Sequence, residues 1–96
     1  MKFISSSNDL SVYLDLNIAK GIPIKNISTD TRTIKKDSLF IAIKGDKFDG
    51  NDFVEEAFEK GASLAIADNK KLPKIRNKKI VYVKNTIGAL KKISEN

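Results

Sequence analysis

The stretch "SLFIAIKGDKFDGNDFVEEAFEKGASLAIA", residues 38–67, decides the fold. Its opening, from 38 to 44, is a nearly continuous apolar run, and its end, "SLAIA" at 63–67, is another. Short apolar runs bounded by turn residues read as strands buried on both faces. Between them, Phe53, Val54, Ala57 and Phe58 form one apolar stripe of a helix over 52–60, with Asn51 or Asp52 placed to cap it and Gly61 to end it. Strand, helix and strand in this order make a βαβ unit, whose strands run parallel because the chain must cross back before pairing. The fold class is therefore α/β.

Working outward, "KFIS" at 2–5 is compatible with a short opening strand. Leu10, Tyr13, Leu14 and Ile18 share one face of a helix near 9–20, with Ser7 or Asn8 as its cap and Gly21 as its stop. Ile24 and Ile27 fall in an extended segment over 23–32. On the other side, "NKKLPKIRNKK" at 69–79 reads as a basic loop carrying proline, "IVYVK" at 80–84 as a strand, and Ile87, Leu90 and Ile93 as the apolar face of a closing helix. The expectation is one domain over 1–96, with a short, mostly parallel or mixed sheet flanked by about three helices. The closing helix reaches the last residue without a glycine or proline stop, as expected of a chain cut before a further domain; a helix end fraying into solvent gives the same pattern.

An apolar content of 41% in 96 residues supports one core. No apolar run approaches the roughly 18 to 20 residues that span a bilayer, and "MKFISSSNDL" lacks the pattern of a secretion signal, so the expected location is the cytoplasm, with no membrane partner. Without cysteine or histidine, thiolate chemistry, disulfides and the commonest neutral-pH base are excluded. The net charge of +6 favours anionic partners in general. Sixteen of the 18 basic residues are lysine and only Arg32 and Arg76 are arginine, whereas nucleic-acid readers lean on arginine forks; a solvated lysine-rich surface is the plainer reading, and no nucleic-acid partner is expected.

Two polar clusters stand beside predicted strands: "STDTR" at 28–32 and the loop from Lys44 to Asp52. Ligands of open α/β sheets gather where loops leave strand ends. Thr29, Thr31 and Asn51 can donate neutral hydrogen bonds, Arg32 and Lys44 can meet charge, and Gly45 and Gly50 allow close backbone approach. The same residues also fit a purely local role: Asp30 and Thr31 bonding turn backbone, Asp49 or Asp52 capping a helix, and the glycines supplying positive φ. Asp46, Asp49 and Asp52 do not follow a calcium-loop spacing, so no metal site is assigned. No phosphate-loop motif, nucleophile elbow or histidine dyad is present, and no residue is assigned a catalytic role.

The ordered series Asp30-Thr31-Arg32, Leu39-Phe40-Ile41-Ala42-Ile43-Lys44-Gly45, Phe48-Asp49-Gly50-Asn51-Asp52-Phe53 and Gly61-Ala62, continued more loosely through "LPK" and "IVYVKNT", resembles the N-terminal domain of the bacterial Mur ligases. The MurF type is the nearer match and the MurE type the second. Two positions depart from the family pattern: Lys36-Asp37-Ser38 replaces the usual Pro-Gly-Asp, and Asn51 stands where histidine is common. The resemblance implies a domain that binds the UDP end of UDP-N-acetylmuramoyl-tripeptide, working with the remaining ligase domains in cis. Those domains would use ATP and magnesium to activate the peptide carboxylate as an acyl phosphate, which the amine of D-alanyl-D-alanine displaces; this domain would need no cofactor and be inactive alone.

By the same resemblance, Thr31 and Asn51 would contact uridine or diphosphate, with Thr29, Lys44, Gly45, Asp49 and Gly50 around them in the substrate-binding set. Arg32 would either contact ligand or lock the two loops by pairing with Asp49 or another acid. Phe40, Phe48, Phe53 and Phe58 are expected to be core or loop anchors rather than stacking platforms. Two other readings share this fold: a regulatory or interaction module that lacks the ligand, and a weak nucleic-acid binder using the lysines.

Overall fold

The computed structural model describes residues 4–68 and 79–94. Four strands, β1 (Asn26–Ser28), β2 (Ser38–Ile41), β3 (Ala62–Ala67) and β4 (Ile80–Tyr82), lie side by side in chain order. Every neighbouring pair is parallel, so the sheet is not mixed. Helix α1 (Ser7–Leu14) precedes the sheet, α2 (Val54–Glu59) crosses from β2 to β3, and α3 (Thr86–Ser94) follows β4.

Alternation along the strands sorts the core into two layers. Leu39, Ile41, Leu64 and Ile66 point to the face where α1 and α3 contribute Leu10, Leu14, Ala89 and Ile93. Phe40, Ala42, Ala65 and Ala67 point to the opposite face, against Val54, Ala57 and Phe58 of α2. One layer is leucine and isoleucine; the other is largely alanine, which leaves room for the two phenylalanine rings. Between Ser38 and Leu39 the register with β3 slips by one residue, so Ala62 joins the α2 face while Ser63 turns its hydroxyl to the Pro23 carbonyl at 2.6 Å.

The connection from β1 to β2 is short and contains a 3₁₀ turn at Thr31–Thr33. It closes over Gly61: the Asp37 amide donates to the Gly61 carbonyl at 2.8 Å, and a Cβ on Gly61 would lie 3.1 Å from the Lys36 Cα. Asp37 itself sits at φ 64, in the left-handed region, at the position where the family pattern carries glycine. Aspartate tolerates that conformation better than most side chains. The departure at 36–38 thus places a non-glycine residue in the left-handed region of this turn.

Helix α1 differs from its sequence reading at both ends. Ser6 is the cap, accepting from the Asn8 amide at 3.2 Å, while Ser7 and Asn8 reach back to the segment before β1: Ser7 Oγ donates to the Ala19 carbonyl at 2.7 Å and Asn8 Oδ1 accepts from the Gly21 amide at 2.9 Å. The helix ends at Leu14 because Asp15 adopts φ 52, ψ 48, and the Leu16 amide folds back on the Ser11 carbonyl at 3.1 Å. Ile18 is buried as expected, but from irregular chain. In "KFIS", Ile4 and Ser5 belong to no strand, and residues 2 and 3 lie outside the described residues, as does 69–78 of the basic loop. In α3, Ile93 is buried but Ile87 is 48% exposed; the inward face runs through Thr86, Ala89 and Ile93.

Candidate functional site

The strands are parallel, so the loops that leave their C-terminal ends gather on one edge of the sheet. Residues 29–33 leave β1, residues 42–53 leave β2, and Asp68 closes β3. The first of these loops is held by its own polar groups. Asp30 caps the 3₁₀ turn through the Arg32 amide at 2.8 Å, and Ser28 Oγ accepts from the Asp30 amide at 3.1 Å, donates to the Asp30 carbonyl at 2.7 Å and contacts the Thr33 hydroxyl. Arg32 pairs with Asp30, not with Asp49: Nη2 lies 2.6 Å and Nε 3.0 Å from Oδ2. The inter-loop lock considered from sequence is therefore absent, since the fork closes on a carboxylate two residues away before it can reach the other loop. Hydrogen bonds from the Arg32 guanidinium, then from its backbone N–H, hold the Asp30 carboxyl down to about 2. The Glu56 carboxyl of α2 is lowered below its usual range, first by the Thr31 side chain and then by the Lys60 charge.

The second loop folds on itself. Lys44 and Asp49 face each other in an isolated antiparallel backbone bridge, the Gly45 amide donates to the Phe48 carbonyl at 2.9 Å, and the Gly50 amide donates to the Ile43 carbonyl at 2.9 Å. Phe48 is consequently turned outward, 67% exposed, with its ring 5.9 Å from that of Phe53 and nearly perpendicular to it. Neither Gly45 nor Gly50 has positive φ. Gly50 is required by crowding: a Cβ there would come within 2.6 Å of the Ile43 nitrogen and 2.8 Å of its carbonyl oxygen. Gly45 carries no such constraint, its nearest contact being the Phe48 oxygen at 3.6 Å.

Asn51 lies beneath this loop, 2% exposed. Its Nδ2 donates to Asp49 Oδ1 at 2.7 Å and to Asp68 Oδ1 at 2.9 Å, and its Oδ1 accepts from the Asp68 amide at 3.2 Å. Asp49, one of the caps offered from sequence, caps the turn Gly50–Phe53 that leads into α2, and accepts from the Asn51 amide at 2.9 Å; Asn51 and Asp52 do not take that place. Hydrogen bonds from the Asn51 backbone and then its side chain lower the Asp49 carboxyl.

A cleft of about 480 Å³ opens between the two loops, lined by Thr29, Asp30, Thr31 and Arg32 on one side and Phe48, Gly50 and Phe53 on the other, over Phe40 and Ile43. That volume falls in the ordinary range for small-molecule sites, about 300 to 1,000 Å³. Of the residues singled out from sequence, Thr29, Thr31, Arg32 and Gly50 line it, whereas Lys44, Gly45, Asp49 and Asn51 do not. Phe48 was missed because nothing in its neighbours distinguishes an outward ring from an anchor; the turn that exposes it is built by backbone bonds. Among the described residues no three carboxylates converge as metal ligands.

Two outcomes follow from this geometry. Gly50→Ala should lower stability by about 1–3 kcal/mol in urea unfolding, since the clash is with backbone, while Gly45→Ala should change it by less than about 0.5 kcal/mol; equal effects would contradict the crowding at Gly50. In a carboxyl-detected NMR titration, Asp30 should titrate near 2 and Arg32→Ala should move it toward 3.8. A depressed value means that the pairing stabilises the turn above the ordinary carboxylate value and that this contribution is lost as the pH falls through about 2.

The model of the Mur ligase family, catalytic domain, matches residues 23–95. Over 67 residues the chain is 46% identical to the UDP-N-acetylmuramoyl-L-alanyl-D-glutamate:2,6-diaminopimelate ligase of Rickettsia conorii, covering 70% of this chain and 14% of that protein. It is 36% identical over 72 residues to the UDP-N-acetylmuramoyl-tripeptide:D-alanyl-D-alanine ligase of Bacillus subtilis, covering 75% of this chain and 16% of that protein. Among solved structures, MurF ligase from Thermotoga maritima in complex with ADP superposes with a TM-score of 0.63 at 29% identity, over 72% of this chain and 16% of that one. MurF from Acinetobacter baumannii gives 0.72 at 26% identity, over 92% of this chain and 20% of that one. The chain thus spans well under a fifth of the length of these two curated relatives. It belongs to the Mur ligase family, and its parallel four-stranded sheet with three helices is the fold of the N-terminal domain of those ligases.

Proposed function

We propose that this chain is the substrate-holding domain of a peptidoglycan-precursor ligase and that the cleft between residues 29–32 and 43–53 receives the UDP end of a UDP-N-acetylmuramoyl peptide. The observation that carries this reading is that two motif segments distant in sequence form facing walls of one cleft at the C-terminal ends of β1 and β2. The domain holds the nucleotide handle and takes no part in bond making; as an isolated chain it is inactive. Further domains in cis carry the ligation, where ATP with magnesium supplies the phosphoryl group that activates the peptide carboxylate. The reaction places the protein in the cytoplasm, and no described helix is long and apolar enough to cross a membrane.

Two ligation products are in contention. Addition of D-alanyl-D-alanine to the tripeptide is favoured by the likeness to the MurF structures. Addition of the third residue to a dipeptide substrate is favoured by the higher identity to the diaminopimelate ligases, 46% against 36%. Both share the UDP handle, so the role of this cleft is common to them.

Amide-resolved NMR titration of the chain with UDP-N-acetylmuramoyl-tripeptide, its dipeptide counterpart, UDP and a short RNA tests the reading. Shifts confined to residues 29–32 and 43–53 should appear for the three UDP ligands and not for RNA. A folded chain that responds to none of the UDP ligands at millimolar concentration would favour the interaction-module reading, and a salt-sensitive response to RNA alone would favour the lysine-driven one.

A further inference from the structure

The positive charge of the chain is not spread along it. Residues 69–94 carry nine basic side chains and no acidic one, whereas residues 1–68 carry nine basic against eleven acidic. The net +6 therefore arises wholly from the segment that supplies β4 and α3. An asymmetry of this kind points to an anionic partner on one side of the molecule. Lys79 and Lys84, both exposed, stand at the two ends of β4.

The same segment forms the outer strand. β4 pairs with β3 on one side, and no described residue pairs with its other side. The Lys79 carbonyl accepts from the Ala65 amide at 3.2 Å, and the Val83 amide donates to the Ala67 carbonyl at 2.9 Å. Extended backbone directs the polar groups of successive residues to opposite sides, so those of Ile80 and Tyr82 point away from the sheet and form a template for a further strand. Every residue of β2 is buried, but Ile80, Val81 and Tyr82 are all half-buried. Two hollows of about 260 and 400 Å³ lie along this edge, and because Leu16 and Tyr82 line both, they form one groove. Lys79 lines its first part, Lys84 and Lys92 line its second, and no carboxylate lines either.

Charge and backbone together select the occupant. A second copy of the chain would set these lysines against themselves, so the edge excludes its own kind while admitting the opposite charge. A strand edge is completed by peptide backbone; neither a nucleic acid nor a lipid headgroup offers its alternating donors and acceptors. We propose that the β4 edge docks an acidic, extended segment of a separate protein, which adds a strand beside β4, places alternate apolar side chains in the groove and sets its carboxylates at Lys79 and Lys84. A field of one sign steers partners that arrive by diffusion, whereas a domain tethered in cis needs no steering, and this favours a partner in trans.

The test is an amide-resolved NMR titration of the 96-residue chain with a short peptide of alternating glutamate and valine. Its controls are the lysine–valine counterpart, the glutamate peptide with methylated backbone nitrogens, a short RNA and phosphatidylglycerol vesicles. The glutamate peptide should shift the amides of 80–85 and 16–19, and its binding should weaken severalfold as salt is raised. Lys79→Gln combined with Lys84→Gln, both on the surface, should weaken it by about threefold to tenfold without altering the fold. The controls should leave these amides in place. No response to the glutamate peptide, equal binding of the lysine or methylated peptide, or a stronger response of these amides to RNA or to vesicles would overturn the proposal. A concentration-dependent dimer through this edge in the absence of peptide would also overturn it, by making the occupant a second copy. In the full-length ligase proposed above, the glutamate peptide should bind with an unchanged constant; loss of binding there would assign the edge to a domain in cis and overturn the partner in trans. Residues 29–32 and 43–53 take no part in this surface, so the reading of the cleft stands or falls separately.

Discussion

The cleft rests on one buried amide. Asn51 reaches from the start of the α2 turn to Asp49 on its own loop and to Asp68 at the end of β3, and Asp68 in turn accepts from the Thr86 hydroxyl at the start of α3, at 3.3 Å. The turn before α2, the end of β3 and the start of α3 are thereby joined at the edge where the loops gather. A buried amide left without partners costs about 1–3 kcal/mol, so the geometry that satisfies Asn51 excludes loop positions that do not. Where the family pattern carries histidine, this chain performs the junction with a neutral group whose two donors span two carboxylates. Because an amide does not titrate, Asn51 itself brings no protonation switch near neutrality.

Around that junction the sheet supplies rigidity cheaply. The leucine and isoleucine layer under α1 and α3 is bulky, whereas the alanine layer under α2 accommodates Phe40 and Phe58. The slip in register at Ser38 and the closure of the 35–37 turn over Gly61 both lie at the opposite end of the strands from the cleft. Irregularity is thus accommodated at one edge, and the other is left to two self-contained loops, each fastened by its own hydrogen bonds before any ligand arrives. Preformed walls of this kind spare a ligand the cost of ordering them.

The central βαβ unit was readable from residues 38–67 because each signal there is strong and local: two short apolar runs, a helical stripe at 53–58 and Gly61 at φ 120 to stop it. The first helix was misread because its 3.6-residue pattern continues through Ile18 after the backbone has already turned at Asp15, and no glycine marks the break. Ile87 keeps the helical spacing of α3 while facing solvent, since the face chosen is set by contact with α1 rather than by periodicity. In the cleft, residue types identified the two loops but not their internal assignments. Whether Arg32 meets Asp30 or Asp49, and whether Phe48 points in or out, is decided by turn geometry two residues away, which composition does not encode. Asn51 was picked for its hydrogen-bonding capacity, and that capacity is directed at the protein's own carboxylates.

The most direct measurement is a crystal structure of this chain bound to UDP. The account predicts electron density for the nucleotide in the cleft between residues 29–32 and 43–53, with Asn51 still joined to Asp49 and Asp68. A nucleotide bound elsewhere on the sheet edge would contradict it.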